Sequence, residues 1–137
     1  MSCPENIEIS DDNNLLRRIH KNHCVFDDKL KKYRTTSGAY NSTLNKNTNL
    51  SGVSCELLEW MLEDNNDAIE QYKKQYHEHY LVKLNVGKLR KLDIEIKHTP
   101  LDINRFHCDF IYKNETKSTK KKIAKQIAEW IYGPEDD

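Results

Sequence analysis

The sequence has no net charge, because 22 Lys and Arg balance 22 Asp and Glu across 137 residues. Nucleic-acid-binding domains usually carry a strong basic excess, so this balance removes the simplest argument for a nucleic-acid partner. No stretch approaches the roughly 18 apolar residues that a membrane helix needs. The first twelve residues contain four acidic side chains and no basic one, unlike a secretory signal. We therefore expect a cytoplasmic location.

Glycine is scarce, with 4 residues, and no glycine-rich phosphate loop is present. Signature motifs of serine hydrolases, zinc proteases and protein kinases are also missing. The cysteines are widely scattered, and none forms a C-x-x-C pair: Cys3, Cys24, Cys55 and Cys108. His77 and His79 are spaced to share one face of a strand, but known zinc motifs have more ligands at fixed offsets. We therefore predict free thiols, no metal site and no cofactor.

The composition that is present is typical of one small globular domain, with 36% hydrophobic and 32% charged residues. We assign residues 1–13 to an acidic tail, residues 14–133 to a single α+β domain and residues 134–137 to a second acidic tail. Apolar residues alternate with polar ones in several short stretches, which indicates half-buried strands. The predicted strands are 79–85, 94–97 and 106–112, and residues 15–19 form either a first strand or a short element that docks on the core.

Helical spacing of apolar residues predicts helices over 55–63, 67–76 and 118–132, with one further turn near 86–92. The predicted helix over 118–132 has a narrow apolar stripe formed by Ile123, Ile127, Trp130 and Ile131. Residues 35–52 are rich in Ser, Thr, Asn and Gly, which predicts the longest loop. We expect a small antiparallel sheet of three to five strands with helices on one face.

His107 lies inside the most regular strand pattern, two residues before Asp109. A carboxylate at that spacing could orient the imidazole and raise its basicity, although an exposed polar face of the sheet would show the same pattern. Hydroxyl side chains at Thr35–Ser37 follow Arg34 and, together with Arg17 and Arg18, could hold a phosphate or a carboxylate. A simple turn is the alternative reading of that string.

A lysine-rich segment opens the last predicted helix: Lys117, Lys120, Lys121, Lys122 and Lys125. Lysines at a helix N-terminus oppose the helix dipole, and a negatively charged partner would offset this cost. RNA, DNA and an acidic protein surface are candidates, and a solvated helix start explains the lysines equally well. Few aromatic residues interleave them, so stacking on single-stranded nucleic acid is not indicated.

The strings that carry a family resemblance span most of residues 15–130: Leu16–Ile19, Tyr33–Tyr40, Leu50–Ser51, His79–Val82, Arg105–Cys108 and Lys117–Trp130. Together they resemble an uncharacterised family of short bacterial proteins, which has an arginine pair, a serine-x-alanine-aromatic string and a late strand with a histidine. The resemblance brings no established activity. It implies that five side chains lie near one another: Arg17, Arg18, Ser37, Tyr40 and His107.

The order of an early arginine, a Ser/Thr cluster and an aromatic residue is also similar to that of NAD-using ADP-ribosyltransferases and RES-type toxins. That similarity implies that Arg17 or Arg18 acts with Ser37 on the dinucleotide, and it leaves only Glu95 and Glu115 as candidates for a late catalytic glutamate.

The sequence leaves open whether the protein is an enzyme. Our first hypothesis is a small cytoplasmic binding or accessory protein, whose partner is another protein. The predicted partner patch is the set of five side chains just named, and the predicted docking edge is Lys117, Lys120, Lys121 and Lys125. The alternatives are an NAD-consuming enzyme and a nucleic-acid-binding module.

Overall fold

The computed structural model describes residues 7–46 and 49–136 and has an α+β architecture. Its strands, in chain order, are β1 (Asn14–His20), β2 (Cys24–Asp27), β3 (Lys32–Thr35), β4 (Thr43–Asn45), β5 (Leu50–Leu57), β6 (His79–Asn85), β7 (Ile94–His98), β8 (His107–Tyr112) and β9 (Glu129–Tyr132). Its α-helices are α1 (Leu58–Asp64), α2 (Ala68–Gln75), α3 (Val86–Arg90) and α4 (Lys117–Lys122). Short 3-10 helices occupy Lys21–His23, Ser37–Tyr40 and Pro134–Asp136, and a π-helical turn follows α4 at Ile123–Ile127.

Seven strands form one antiparallel sheet in the order β7-β8-β5-β1-β6-β9, with β4 paired to β5. The remaining two strands, β2 and β3, form a separate hairpin. The α+β class is therefore confirmed, but the sheet is larger than the predicted three to five strands. The extra strands come from segments that the sequence analysis assigned to a loop and to a helix.

The strand register sorts the side chains onto two faces, because directly paired residues in an antiparallel sheet point the same way. The core face carries buried apolar side chains from the central strands: Leu15, Ile19, Val53, Cys55, Val82, Cys108 and Phe110. The opposite face, here called the cleft face, carries mostly polar side chains at the same strands: Arg18, Ser54, Glu56, His107 and Asp109.

Helices lie against both faces of the sheet, so the predicted placement on one face is wrong. Tyr72 of α2 donates a hydrogen bond to Glu56 on the cleft face. The 3-10 helix Ser37–Tyr40 lies on the core face, because Tyr112 of that face donates to the Tyr40 carbonyl, and α4 contacts this 3-10 helix. Both faces are covered because the cleft face also has apolar side chains to bury, among them Leu16 and Leu81.

The segment 35–52 is not one long loop, since it contains the 3-10 helix, β4 and the start of β5. Strand β5 then continues through Leu57, so the helix predicted over 55–63 begins only at Leu58. The alternation of apolar Val53, Cys55 and Leu57 with polar Ser54 and Glu56 is a strand pattern that overlaps the helical spacing of the following leucines.

The helix predicted over 118–132 breaks into three parts. Thr116 caps α4 by accepting a hydrogen bond from the Thr119 amide. The chain widens into the π-helical turn and becomes extended at Ala128. Residues Glu129–Tyr132 then pair with β6. Aromatic and β-branched residues favour a strand there, and the pairing covers an edge of β6 that would otherwise stay open.

Residues 7–13, which the sequence analysis assigned to the acidic tail, contact the domain. Ile7 and Ile9 pack against the core, and Arg90 donates a hydrogen bond to Asp11 at 2.6 Å. Residues 1–6, including Cys3, lie outside the described part of the chain. Within the described part, no helix is both long and apolar enough to cross a membrane.

Candidate binding cleft

A polar cleft of about 800 Å³ opens on the cleft face of the sheet. Its floor comes from the central strands, and its walls come from the α1–α2 segment and from the loop between β7 and β8. The lining residues are Arg17, Arg18, Ser54, Glu56, Met61, Asp64, Asn65, Ala68, Gln71, Tyr72, Gln75, Tyr76, His79, Leu101, Ile103, Asn104, Phe106 and His107. Most of them are polar, and several are charged.

Arg18 presents its guanidinium to the cleft while lying over an aromatic ring. The guanidinium carbon is 3.9 Å from the centroid of the Tyr76 ring. Tyr76 in turn stacks on Tyr72, with 5.3 Å between the ring centroids. Within the described residues the Arg18 guanidinium donates no hydrogen bond and forms no ion pair. Stacking fixes the plane of this always-charged group and leaves its N–H donors available at the edge.

Glu56 is a buried carboxylate, with 6% of its surface exposed. Its Oε1 atom accepts hydrogen bonds from Tyr72 Oη at 2.8 Å and from Asn104 Nδ2 at 3.0 Å. Burial and the neighbouring Glu56 raise the pKa of Tyr72, so the tyrosine stays protonated and keeps donating. Oε2 accepts no hydrogen bond within the described part of the chain.

Arg18 and Glu56 are neighbours on the sheet but do not pair. Glu56 is opposite Leu16 in the β1–β5 register, and Arg18 lies two residues beyond Leu16 on the same face. In a continuous ladder such diagonal neighbours lie about 7–8 Å apart, but β1 and β5 pair only at Leu15 and Leu16, so the ladder ends before Arg18. No ion pair joins them in the part of the chain that the structure describes. Two opposite charges therefore face the cleft separately.

His107 is buried rather than exposed on an open face, with 8% of its surface accessible. Its Nδ1 atom is 2.9 Å from the Thr99 carbonyl oxygen, so Nδ1 carries the proton and donates it. Asp109 acts through Thr99, whose hydroxyl donates to Asp109 Oδ2 at 2.8 Å. In the neutral ring this leaves Nε2 as an acceptor, and His107 lies on the same face of the sheet as Glu56, its cross-strand partner.

His79 closes one end of the cleft and stays neutral near pH 7. Its ring meets the His20 ring edge-on at 5.3 Å, and its Nδ1 atom is buried without a hydrogen-bond partner in the described residues. Burial, followed by the positive charge of Arg18, lowers the pKa of His79. A charged imidazole would be disfavoured at this position.

Arg17 is also a lining residue of the cleft, but its side chain points to the core face and donates its hydrogen bonds inside the protein. Its Nε and Nη2 atoms donate to the Ala39 carbonyl at 3.0 and 2.7 Å, and its Nη1 atom donates to the Ser54 carbonyl at 2.7 Å. Strands β1 and β5 pair only at Leu15 and Leu16 of β1. The guanidinium therefore links strands β1 and β5 at the point where their hydrogen-bonded ladder ends.

Three of the five predicted patch residues meet at the cleft, namely Arg17, Arg18 and His107, and two do not line it. Tyr40 is fully buried on the core face, where its hydroxyl lies 2.8 Å from that of Thr35. Burial raises the pKa of Tyr40, so it acts as a neutral core residue. Ser37 lies in the 3-10 helix beside it.

Among the cleft residues that the sequence did not single out are Glu56, Tyr72, Tyr76 and Asn104. Glu56 was assigned to a helix, although the alternation around it was a usable strand signal. The tyrosines were placed correctly on a helix, but helical spacing alone does not reveal which strand they face. The position of Asn104 depends on a loop without a regular pattern.

The predicted docking edge lies away from the cleft, on the core-face side, where α4 packs. Lys120 is engaged by Glu115 at 2.6 Å and by Asn41 at 2.8 Å, and the hydrogen bond from Lys120, together with one from Ser42, lowers the pKa of Glu115. The other lysines line a shallow groove of about 350 Å³, here called the lysine groove: Lys117, Lys121, Lys122 and Lys125.

The described part of the chain contains no group of three or more His, Cys, Asp and Glu side chains arranged to hold a metal ion. Its cysteines are unbridged: Cys24, Cys55 and Cys108. Cys55 and Cys108 are cross-strand neighbours on the core face, and burial raises the pKa of both thiols. Both are therefore protonated and unreactive near pH 7.

Comparison with known proteins gives the cleft no precedent. The resemblance to an uncharacterised bacterial family rests on the quoted strings alone, since no protein-family model, no curated protein and no solved structure matches the chain.

Proposed function

We propose that this chain is a binding protein that captures a segment of a partner protein in the polar cleft. The observation that carries the proposal is Arg18, whose guanidinium is stacked on Tyr76 and has no acceptor among the described residues. Half-buried arginines and tyrosines at the centre of a concave surface are the residues that most often dominate protein–protein binding energy. An anionic group of the partner would supply the missing acceptor.

The size and lining of the cleft favour a protein segment over a small molecule. Small-molecule sites are enclosed and mostly apolar with a few polar groups. Here the apolar lining residues are in the minority, being Met61, Ala68, Leu101, Ile103 and Phe106, and the cleft is open to solvent. Ile103 stands at the cleft with 95% of its surface exposed, which offers a partner an apolar contact.

Affinity capture from cell lysate tests this proposal, with the whole chain immobilised. Arg18→Gln should lower the recovery of specifically retained proteins about tenfold, which corresponds to losing one charge-assisted contact of about 1.4 kcal/mol. Lys88→Gln, which removes an exposed positive charge from α3, is the matched control and should retain them. Equal recovery on the wild-type and Arg18→Gln chains would show that the cleft arginine does not capture partners.

Nucleic-acid binding is a second candidate, supported by one separate observation. The lysine groove gathers positive side chains on a surface of its own, outside the cleft. An NAD-consuming activity has no such support, because Ser37 lies outside the cleft that holds Arg17 and Arg18. Release of nicotinamide from NAD by the folded chain remains the direct measurement for that alternative.

A further inference from the structure

The cleft is lined by two opposite charges that do not pair with each other. Arg18 and Glu56 are diagonal neighbours across β1 and β5. Opposite charges on neighbouring strands stabilise a sheet when they pair. Within the described residues neither side chain has a charged partner. This separation calls for a structural cause and leaves two charges for a ligand.

Neutral side chains hold the two charges apart. Tyr76 lies under the Arg18 guanidinium, and its stacking partner Tyr72 donates to Glu56 Oε1. Asn104 donates to the same oxygen from the loop on the other side. The two tyrosines thus form a continuous aromatic wall with the cation at one end and the carboxylate at the other.

Only half of the Glu56 carboxylate is satisfied by these donors. Tyr72 and Asn104 both bind Oε1, and Oε2 has no donor in the described part of the chain. This oxygen is not among the buried unpartnered atoms of the described residues and so reaches the cleft surface, where a bound cation would pair with it. A ligand that is anionic along its whole length would be repelled by Glu56 if it extended from Arg18 along the Tyr72–Tyr76 wall.

The neighbouring histidine adds a further acceptor for the same cation. His107 is directly opposite Glu56 in the register of β5 and β8. Its Nδ1–H is committed to the Thr99 carbonyl, which leaves Nε2 as an acceptor. A group with several N–H donors, such as a lysine ammonium or an arginine guanidinium, could bind Glu56 and His107 together.

From this arrangement we infer that the captured segment carries a basic and an acidic side chain close together, with the base at Glu56 and the acid at Arg18. This inference rests on the proposed capture of a protein segment, and it specifies the chemistry of that segment. The two contacts bracket the Tyr72–Tyr76 wall, so a segment with only one of the two charges leaves either Arg18 or Glu56 without a counterion.

Short capped peptides test this inference on the intact chain. The probes contain one lysine and one glutamate, in both orders, separated by zero, one or two glycines. In the matched controls, glutamine replaces the lysine, the glutamate or both. Binding is measured by titration calorimetry and by shifts in the ¹⁵N–¹H spectrum. The best doubly charged peptide should bind about tenfold more tightly than either singly charged control, as expected for one added charge-assisted contact.

The two cleft variants should lose different preferences. Arg18→Gln should abolish the advantage of the glutamate while keeping that of the lysine, and Glu56→Gln should do the reverse. Lys88→Gln should behave like the wild type. This crossed pattern cannot arise from a general loss of folding. If Glu56→Gln does not fold, the Arg18→Gln result alone decides, because it must remove one preference and keep the other.

Equal affinity for singly and doubly charged peptides would overturn the inference, and so would the absence of any measurable peptide binding. Retained capture from lysate that depends on Arg18 would then still support the proposed function with another kind of segment. Loss of the Arg18 dependence in both experiments would remove the proposed function as well.

Discussion

Arg17 and Arg18 are adjacent residues with different tasks, and strand alternation separates them. Successive side chains of β1 point to opposite faces of the sheet. Arg17 points to the core face, where the carbonyl groups of Ala39 and Ser54 accept its hydrogen bonds. Arg18 points to the cleft face, where its guanidinium stacks on Tyr76. No acceptor within the described residues receives a hydrogen bond from it. The first arginine therefore stabilises the fold, and the second is left for a partner.

This difference predicts opposite outcomes for two otherwise similar substitutions. Arg17→Gln should lower the free energy of unfolding by about 2 kcal/mol, because it removes charge-assisted hydrogen bonds to two carbonyl groups. Arg18→Gln should lower it by only about 0.5–1 kcal/mol, the typical contribution of a cation–π contact near the surface. Urea unfolding followed by tryptophan fluorescence measures both values. A larger loss for Arg18→Gln than for Arg17→Gln would contradict the assigned roles.

At the scale of elements, β5 organises the site. It pairs with β1, β4 and β8, and it supplies Ser54 and Glu56 to the cleft. Its approach to β8 is close at Gly52, where an added Cβ would come within 3.0 Å of Asp109 Cβ and 3.1 Å of the Phe110 carbonyl oxygen. Only a residue without a side chain fits there unless the two strands move apart.

A methyl group at this position should therefore disturb the sheet. Gly52→Ala should lower the free energy of unfolding by about 2 kcal/mol, because the nearest atoms belong to the backbone and to a buried side chain that cannot move freely. Gly38→Ala is the matched control, since no atom lies closer than 3.9 Å to its added Cβ. It should change stability by about 0.5 kcal/mol or less. Equal effects in thermal or urea unfolding would show that β5 and β8 tolerate separation.

The elements predicted correctly are those with one clear period. Strands β6, β7 and β8 and helix α2 appear where the alternation or the helical spacing placed them, to within a few residues. The errors occur where two periods overlap. The apolar pattern of Cys55–Leu57 fits the period of a strand as well as that of a helix. Pairing with β8 favours the strand. Trp130 and Ile131 continue the apolar stripe of a helix. They form β9 instead, because pairing with β6 satisfies the backbone hydrogen bonds at the open edge of that strand.

The candidate site was predictable only in part for a related reason. Arg18 and His107 stood out because a charged and a titratable side chain occur within apolar strand patterns. Their convergence depends on the strand order, which places β5 between β1 and β8. Glu56 became visible as a cleft residue only through that order. Ser37 and Tyr40 were grouped with them by resemblance, and the core-face position of Tyr40 separates it from the cleft.

For the whole molecule, zero net charge conceals two separate surfaces. The cleft face carries charges of both signs, arranged around Arg18 and Glu56. The lysine groove, formed mainly by α4 and the π-helical turn, carries one sign only. Because the two surfaces lie on opposite sides of the sheet, a partner at one does not occupy the other. Binding at each surface should therefore respond to its own substitutions.

Salt dependence separates these surfaces experimentally. If the lysine groove binds nucleic acid, the affinity for a short fluorescent DNA duplex should fall steeply between about 50 and 200 mM salt, because each phosphate contact releases a counterion. Lys121→Gln combined with Lys125→Gln should reduce the slope of log affinity against log salt by about 2, one unit for each contact. Arg18→Gln is the control and should leave the slope unchanged, since Arg18 lies on the other face. Fluorescence anisotropy measures the slope.

A salt response that is flat, or that changes with Arg18 rather than with the lysines, would remove the lysine groove as a nucleic-acid surface and leave the cleft as the binding site.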